Sequence, residues 1–420
     1  MAEHRLRGYR GQQAYTISII YLLFVACFII WQQKYMAIKP SITYTYLLAV
    51  LFWCLCLPGN AQQRTYLFVG TYTNAVPNKG LFVYDFNNQT GELKKLSHVQ
   101  NITNPSFITI APNGQYLYAC TDTKMPNAGS VSAFKIDSVK GRLTFINKQA
   151  SGGENPVYVS VHKNNKYVVN ANYTEGNVSV FTCNENGSLN PYTQLIQFTD
   201  SSINRERQDK AHIHAAVFSP QNDYVFLPDL GADKIRVFKF DTLQKQPLIA
   251  MPDYTVQATL GSGPRHFTFH PTKPLAYCIE ELGGTVTAYN YQNGKLDTIQ
   301  RIRSYRKLQT SYGSADIHIS PDGLFLYASN RWDDENTIAI FSINQQNGKL
   351  TLVGHQKTYG DHPRNFTIDP TGNFLLVANQ VTNNIIVFKR NSKTGLLTKT
   401  RYSAQVTLPS CLQMRTYNKN

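Results

Sequence analysis

One pattern recurs along this chain at a nearly fixed spacing. An apolar alternating run, a turn that usually holds proline, and a second alternating run appear as NPSFITIAPNGQYLYAC, NPVYVSVHKNNKYVVNAN, HIHAAVFSPQNDYVFLPDL, GPRHFTFHPTKPLAYCIEEL, SADIHISPDGLFLYASN and HPRNFTIDPTGNFLLVANQ. Aligned on the turn, the units fall at Pro112, Lys163, Pro220, Pro271, Pro321 and Pro370, which are 51, 57, 51, 50 and 49 residues apart. Each is followed by a further strand pair, such as GTVTAYNY with GKLDTIQ or NTIAIFSI with GKLTLVG. Four short strands per period of about 50 residues is the size of one β-propeller blade, a unit that buries its faces only against its neighbours.

The first unit starts late. RTYLFVGTYT matches QYLYACTDT and sets Tyr66 opposite Tyr116, yet no innermost strand precedes it. The missing strand lies at the other end, where LPSCLQM at 408–414 resembles NPSFITI at 104–110. The expected architecture is therefore all-β: a seven-bladed propeller over residues 62–420, with four-stranded blades and a C-terminal strand that closes the ring on the first blade. Closure also removes exposed sheet edges. The 12% aromatic content, with 26 Tyr and 22 Phe, agrees with strands and excludes coiled coils and helical bundles.

Residues 1–61 lie outside the repeat. Tyr15 to Trp31 and Tyr44 to Leu57 are two apolar stretches, each shorter than the roughly 20 residues of a comfortable membrane span. The second reads as a complete signal peptide: Met36 as the start, Lys39 as the basic region, Tyr46 to Leu57 as the apolar region, and Pro58-Gly59-Asn60-Ala61 as the cleavage site. The expectation is export to the periplasm or beyond, with no membrane span after cleavage. A signal anchor at 15–31 is the alternative. Three of the seven cysteines, Cys27, Cys54 and Cys56, fall in this segment. Cys120, Cys183, Cys278 and Cys411 sit far apart on apolar strands and read as core thiols rather than a disulfide or zinc framework.

The net charge of +15 is spread along the chain with no basic run, so nucleic acid is not an expected partner. A small anionic substrate held by a few arginines in one cleft fits better. No oligomeric state follows from the sequence.

Within each unit the first strand begins, and the second ends, at the same rim. Six residues before the turn stand Ser106, Val157, His214, Arg265, Ala315 and Arg364, and ten after it stand Asp122, Tyr173, Leu230, Glu281, Arg331 and Gln380. His214, Arg265, Glu281, Arg331 and Arg364 should thus ring one mouth of the channel. Guanidinium groups there can fork onto a carboxylate or phosphate and stabilise an oxyanion, while Glu281 or His214 activates water. A plain Arg–Glu network locking neighbouring blades is the other reading. A rim glutamate contributes little to the core, so Glu281→Gln should leave folding intact.

Asp122, His212 and Gln380 join Arg364 as candidate substrate contacts. His212 and His214 alternate on a strand, as two metal ligands would, but no acidic partner pattern accompanies them, so neither metal nor cofactor is assigned. His266 should point away from Arg265 and, like His318, reads as packing. Asn172, Asp229, Asn330 and Asn379 read as turn-formers. The long basic insertion from Gln194 to Lys210, with Arg205 and Arg207, is placed to cap the mouth.

The phrases VGTYT, GSGPRHFTFHP, EEL-x-x-TV, SADIHISPDG, ASNR and HPRNFTIDPTG together resemble the lactonase family of seven-bladed propellers over residues 64–412. The resemblance implies hydrolytic opening of a sugar δ-lactone without covalent intermediate or obligatory cofactor, and assigns His214, Arg265, Glu281 and Arg331 to the active site. On that reading Arg265 and Arg331 hold the carbonyl oxygen and the substrate's anionic group. The export signal departs from a phosphorylated sugar lactone formed in the cytosol. The competing readings are a non-catalytic periplasmic propeller that binds carbohydrate or protein, and a muconate-type lactonising enzyme.

Overall fold

A computed structural model describes residues 63–73, 80–332 and 335–418, all within one compact unit, Gln62–Asn420. The apolar segments read as signal sequences lie outside the described residues. No helix among the described residues is long and apolar enough to cross a membrane.

The strands form seven antiparallel sheets, each built from four consecutive strand positions, and the only helical element described is a single 3-10 turn. The first blade is split as the repeat requires. Its innermost strand, Pro409–Asn418, pairs with Gln63–Thr71, from Gln63 opposite Asn418 to Gly70 opposite Cys411. The fourth blade departs from the regular plan. Its outer strand is broken into Leu248–Ala250 and Val256–Gln257 around the 3-10 turn Pro252–Tyr254, where proline cannot donate to the ladder.

The core lies between blades. In the fifth and sixth, for example, Leu275, Tyr277 and Ile279 pack with Leu326, Ala328 and Phe341, all buried. Comparable clusters fill the remaining interfaces, so each blade is stabilised mainly by its neighbours. A polar lock recurs with them. A tyrosine hydroxyl on the second strand of one blade donates to the outer turn of the next, as Tyr118 does to Gly187 O (3.0 Å), Tyr277 to Gly348 O (3.0 Å) and Tyr327 to Gly395 O (2.8 Å). Gly187 is in the left-handed region (φ +81°), and a Cβ there would lie 2.2 Å from the Tyr116 ring.

Asn172, Asn330 and Asn379 are not turn-formers. They are buried at the end of the second strand and donate to the strand-to-blade connections at Ser151 O, Ser304 O and Thr358 O. They tie each blade to the chain arriving from the previous one. Asp229 is the turn-former expected, its Oδ1 accepting from the amides of Gly231 and Ala232, and it also accepts from Arg236 and the amide of His212. Cys120, Cys278 and Cys411 are free and buried, and Cys183 is free and half-buried.

The start of each inner strand explains why one row of residues faces the channel. In five blades the register slips there, at Ser410, Val157, Arg265, the Ala315-Asp316 pair and Arg364. Such a β-bulge leaves a residue unpaired and re-aims its side chain. Two residues earlier, Asn155, Gly263, His362 and Leu408 take positive φ and bring the chain to the strand. Five of the seven rim-row positions are thus bulges.

Candidate active site

A cavity of about 480 Å³ opens at this rim, lined by His214, Glu281, Arg331, Arg364 and Gln380 together with Lys124, Asn155, Tyr173, Arg207, Trp332 and His362. Blades two to seven all contribute. A narrower space is bounded by Ser106, Val157, His214, Arg265, Arg364 and Ser410 of the same rim row.

Glu281 is the hub. It is buried, with Oε2 accepting from Arg265 Nε at 2.7 Å and Arg331 Nη2 at 3.0 Å, and Oε1 accepting from Arg207 Nη2 at 2.7 Å. Burial alone would raise its pKa. Arg331, Arg265 and Arg207 outweigh that and hold the carboxyl well below the usual carboxylate range. Glu281 is therefore a fixed anion whose two oxygens are both engaged.

Arg265 sits behind it, 1% exposed, with Nη1 donating to Ala315 O at 2.5 Å and lying 3.2 Å from His266 Nε2. It borders the narrow space, not the open cavity, so the expected grip of Arg265 on substrate is not what the structure presents. Its guanidinium is occupied in holding Glu281. His266 faces inward because of the bulge, contrary to the alternation expected of a regular strand. Asp316 Oδ1 lies 2.7 Å from His266 Nδ1, and Oδ2 lies 3.0 Å from His318 Nε2. Burial and Arg265 push His266 down to about 4. The two histidines read as packing thus brace the floor through Asp316.

Arg331 borders the cavity, its Nε bonded to Gly313 O at 2.8 Å and its Nη1 3.2 Å from His362 Nε2. His214 is buried, and its Nδ1 has no hydrogen-bond partner among the described residues. Its ring is held by edge contacts with Tyr173 and His266, each at 5.3 Å between centroids. Burial, then Arg265, His266 and Arg364, hold its pKa well below the ordinary value, so the imidazole is neutral at physiological pH.

Two expected contacts lie elsewhere. Asp122 has φ +53°, which turns its carboxylate to Ser130 and to Lys148 Nζ at 2.9 Å, beside a separate groove. His212, itself outside the cavity lining, stacks on Tyr173 (4.5 Å between centroids), lies 2.9 Å from Tyr173 O through Nδ1 and 3.1 Å from Asp209 through Nε2, and so positions Tyr173 in the cavity wall. Among the described residues no group of three or more His, Cys, Asp or Glu is arranged to hold a metal.

The 194–210 insertion does reach the mouth. Arg207 is its contribution, also 3.4 Å from the Tyr173 hydroxyl. The insertion is anchored where Gln208, fully buried, donates to Leu230 O at 2.8 Å, and where Gly231 passes Lys210 so closely that a Cβ would lie 1.8 Å from its carbonyl oxygen. Gly231→Ala is expected to displace Arg207 while the blades remain folded. A shift of about 1 Å at such a site costs about a hundredfold in rate, so lactonase assays beside far-ultraviolet circular dichroism should show that loss with unchanged strand content.

Residues 66–414 match the family described as Lactonase, 7-bladed beta-propeller. The chain belongs to this lactonase family. It is 47% identical over 352 residues to the 6-phosphogluconolactonase of Formosa agariphila, covering 84% of this chain and 100% of that one. To the 6-phosphogluconolactonase of Bacillus subtilis it is 35% identical, covering 82% and 97%. Among solved structures, the periplasmic gluconolactonase of Pseudomonas aeruginosa superposes with a TM-score of 0.78 at 33% identity, covering 84% of this chain and 99% of that one. This lactonase thus has both the family's fold and, at its mouth, the arginine-rich cluster described above.

Proposed function

We propose that this lactonase opens an anionic sugar δ-lactone by direct attack of water, with His214 as the general base. The observation that carries the assignment is the contrast between the two candidate bases. Glu281 has both oxygens engaged by three guanidinium groups, whereas His214 lines the cavity neutral and with an unpartnered nitrogen. His214 takes a proton from water as oxygen attacks the carbonyl carbon. Arg331 and Arg207, oriented by Glu281, stabilise the oxyanion. As the tetrahedral intermediate collapses, the ring C–O bond breaks and the histidinium returns its proton to the departing alkoxide, leaving the aldonic acid. Arg265 is a positioning residue for Glu281.

Export is part of the proposal. A mature chain beginning at Gln62 and lying in the periplasm fits the signal-like 36–61 segment, and the Pseudomonas relative is periplasmic by name. N-terminal sequencing of the protein recovered from cell fractions tests it; an intact Met1 or Met36 terminus on cytosolic protein would refute it.

The activity itself is tested by following acid release from 6-phosphoglucono-δ-lactone and glucono-δ-lactone against spontaneous opening. Acceleration of either supports the reading. Acceleration of neither, with carbohydrate retained on the protein, would favour a binding propeller, and turnover confined to muconate-type lactones would favour a lactonising enzyme.

The depressed His214 value has a further consequence. An unperturbed histidine, with a pKa near 6.5, would inactivate the base as the pH falls through that value. Here protonation is deferred to lower pH, so kcat/KM, corrected for spontaneous opening, should stay level between about pH 6 and 7. An acid limb centred near 6.5 would show that His214 titrates normally or is not the base.

A further inference from the structure

We propose that Asp316 is a positioning residue for the hydrolysis: it fixes the tautomer of His266 and, through that ring, the orientation of Arg265 behind Glu281. The inference rests on the hydrolase reading and adds to it a residue that touches no substrate.

Asp316 is buried on the bulge that starts the inner strand of the sixth blade, and donors from the fifth, sixth and seventh blades converge on it. Its Oδ1 accepts from Ile317 N at 3.0 Å and faces His266 Nδ1 at 2.7 Å. Its Oδ2 accepts from Asn365 Nδ2 at 2.5 Å and Phe366 N at 3.2 Å, and faces His318 Nε2 at 3.0 Å. The Asn365 amide is itself fixed, because its Oδ1 accepts from Leu412 N at 2.7 Å. Burial alone would raise the Asp316 pKa, but His318 and His266 outweigh it and hold the carboxyl well below the usual carboxylate range. Asp316 is therefore an anion, and an ionised carboxylate only accepts.

His266 stands between this anion and a guanidinium, which only donates. Its Nδ1 must carry the proton given to Asp316, and its Nε2 must offer the lone pair that meets Arg265 Nη1 at 3.2 Å. Edge contacts with Phe107, Tyr158 and His214, at 6.0, 5.5 and 5.3 Å between centroids, hold the ring plane from three other blades. Arg265 is then fixed at three points, with Nη1 donating to His266 and to Ala315 O, and Nε donating to Glu281 Oε2. Glu281 in turn orients Arg331 and Arg207. One tautomer at His266 thus reaches the groups assigned to the oxyanion. Asp316→Asn inverts this logic. Three donors meet at the Oδ2 position, so the asparagine oxygen settles there and its amide group faces His266 Nδ1. The imidazole proton then moves to Nε2 and confronts Arg265 with a second donor.

The test is nitrogen NMR of the full protein labelled at histidine, with the His266 signal assigned by its proximity to the Phe107 and Tyr158 rings, beside kcat and KM for glucono-δ-lactone and 6-phosphoglucono-δ-lactone. Wild type is expected to show a neutral His266 protonated at Nδ1, a reading that needs no variant to fold. Asp316→Asn should show the Nε2-protonated form, with kcat down about 100-fold and KM within a few-fold, as a misplacement of about 1 Å would give. His266→Leu should cost about as much in kcat, and adding Asp316→Asn to it should cost little more, because the effect runs through the ring. Circular dichroism confirms that the variants fold. A wild-type His266 protonated at Nε2, an unchanged kcat in folded Asp316→Asn, or losses that multiply in the double variant would overturn the proposal. The expected tautomers in a wild type that opens no lactone would retain the chain from Asp316 to Arg265 and reject the hydrolase.

Discussion

Glu281→Gln is expected to abolish measurable lactone opening and to destabilise the propeller. Glutamine offers one acceptor oxygen and no charge to three guanidinium groups, two of them on Arg265 and Arg331, which are 1% and 3% exposed. Leaving buried charges uncompensated costs about 3–5 kcal/mol. The sequence-level expectation that a rim substitution would spare the fold is therefore corrected: this rim residue is buried and joins the insertion, the fifth blade and the sixth. The Arg–Glu network locking blades and the cluster proposed to act in hydrolysis are one arrangement. Denaturant unfolding beside the lactonase assay checks both halves. A variant of wild-type stability would show that the three arginines find other partners, and wild-type turnover would remove Glu281 from the account.

His214→Gln should separate chemistry from stability. His214 Nδ1 gives no hydrogen bond to the fold, so the substitution removes no bond at that atom, whereas loss of a positioned general base costs about 10²- to 10⁴-fold in kcat. Binding should persist, because Arg364 and Arg331 are untouched. A kcat within a few-fold of wild type would transfer the role of base elsewhere; unchanged kcat with a raised KM would make His214 a binding residue.

The architecture was legible because a propeller writes its geometry as a period. The turn-to-turn count located the split blade and placed His214, Glu281, Arg331, Arg364 and Gln380 on one cavity. The same count extended to the split blade would have reached Tyr72 and Ser410, the partners of Asp122 and Ser106. What counting cannot supply is backbone conformation. Asp122 occupies an equivalent position, but its left-handed φ turns it away, and bulges let both Arg265 and His266 face inward where simple alternation allows one. Arg207 reaches the mouth from outside the repeat, so its contact with Glu281 has no counterpart in another blade. Nor does charge pattern alone separate Arg265, occupied behind Glu281, from Arg364, free to meet an anion.

The most direct test of the central claim is a crystal structure of this lactonase with its aldonate product. The carboxylate descended from the lactone carbonyl should lie within hydrogen-bond distance, about 2.7–3.2 Å, of Arg331 or Arg207 and beside the His214 imidazole. Product seated instead in the separate groove of Asp122 and Glu154, or in the mouth with its carboxylate turned away from His214 and both arginines, would contradict the account.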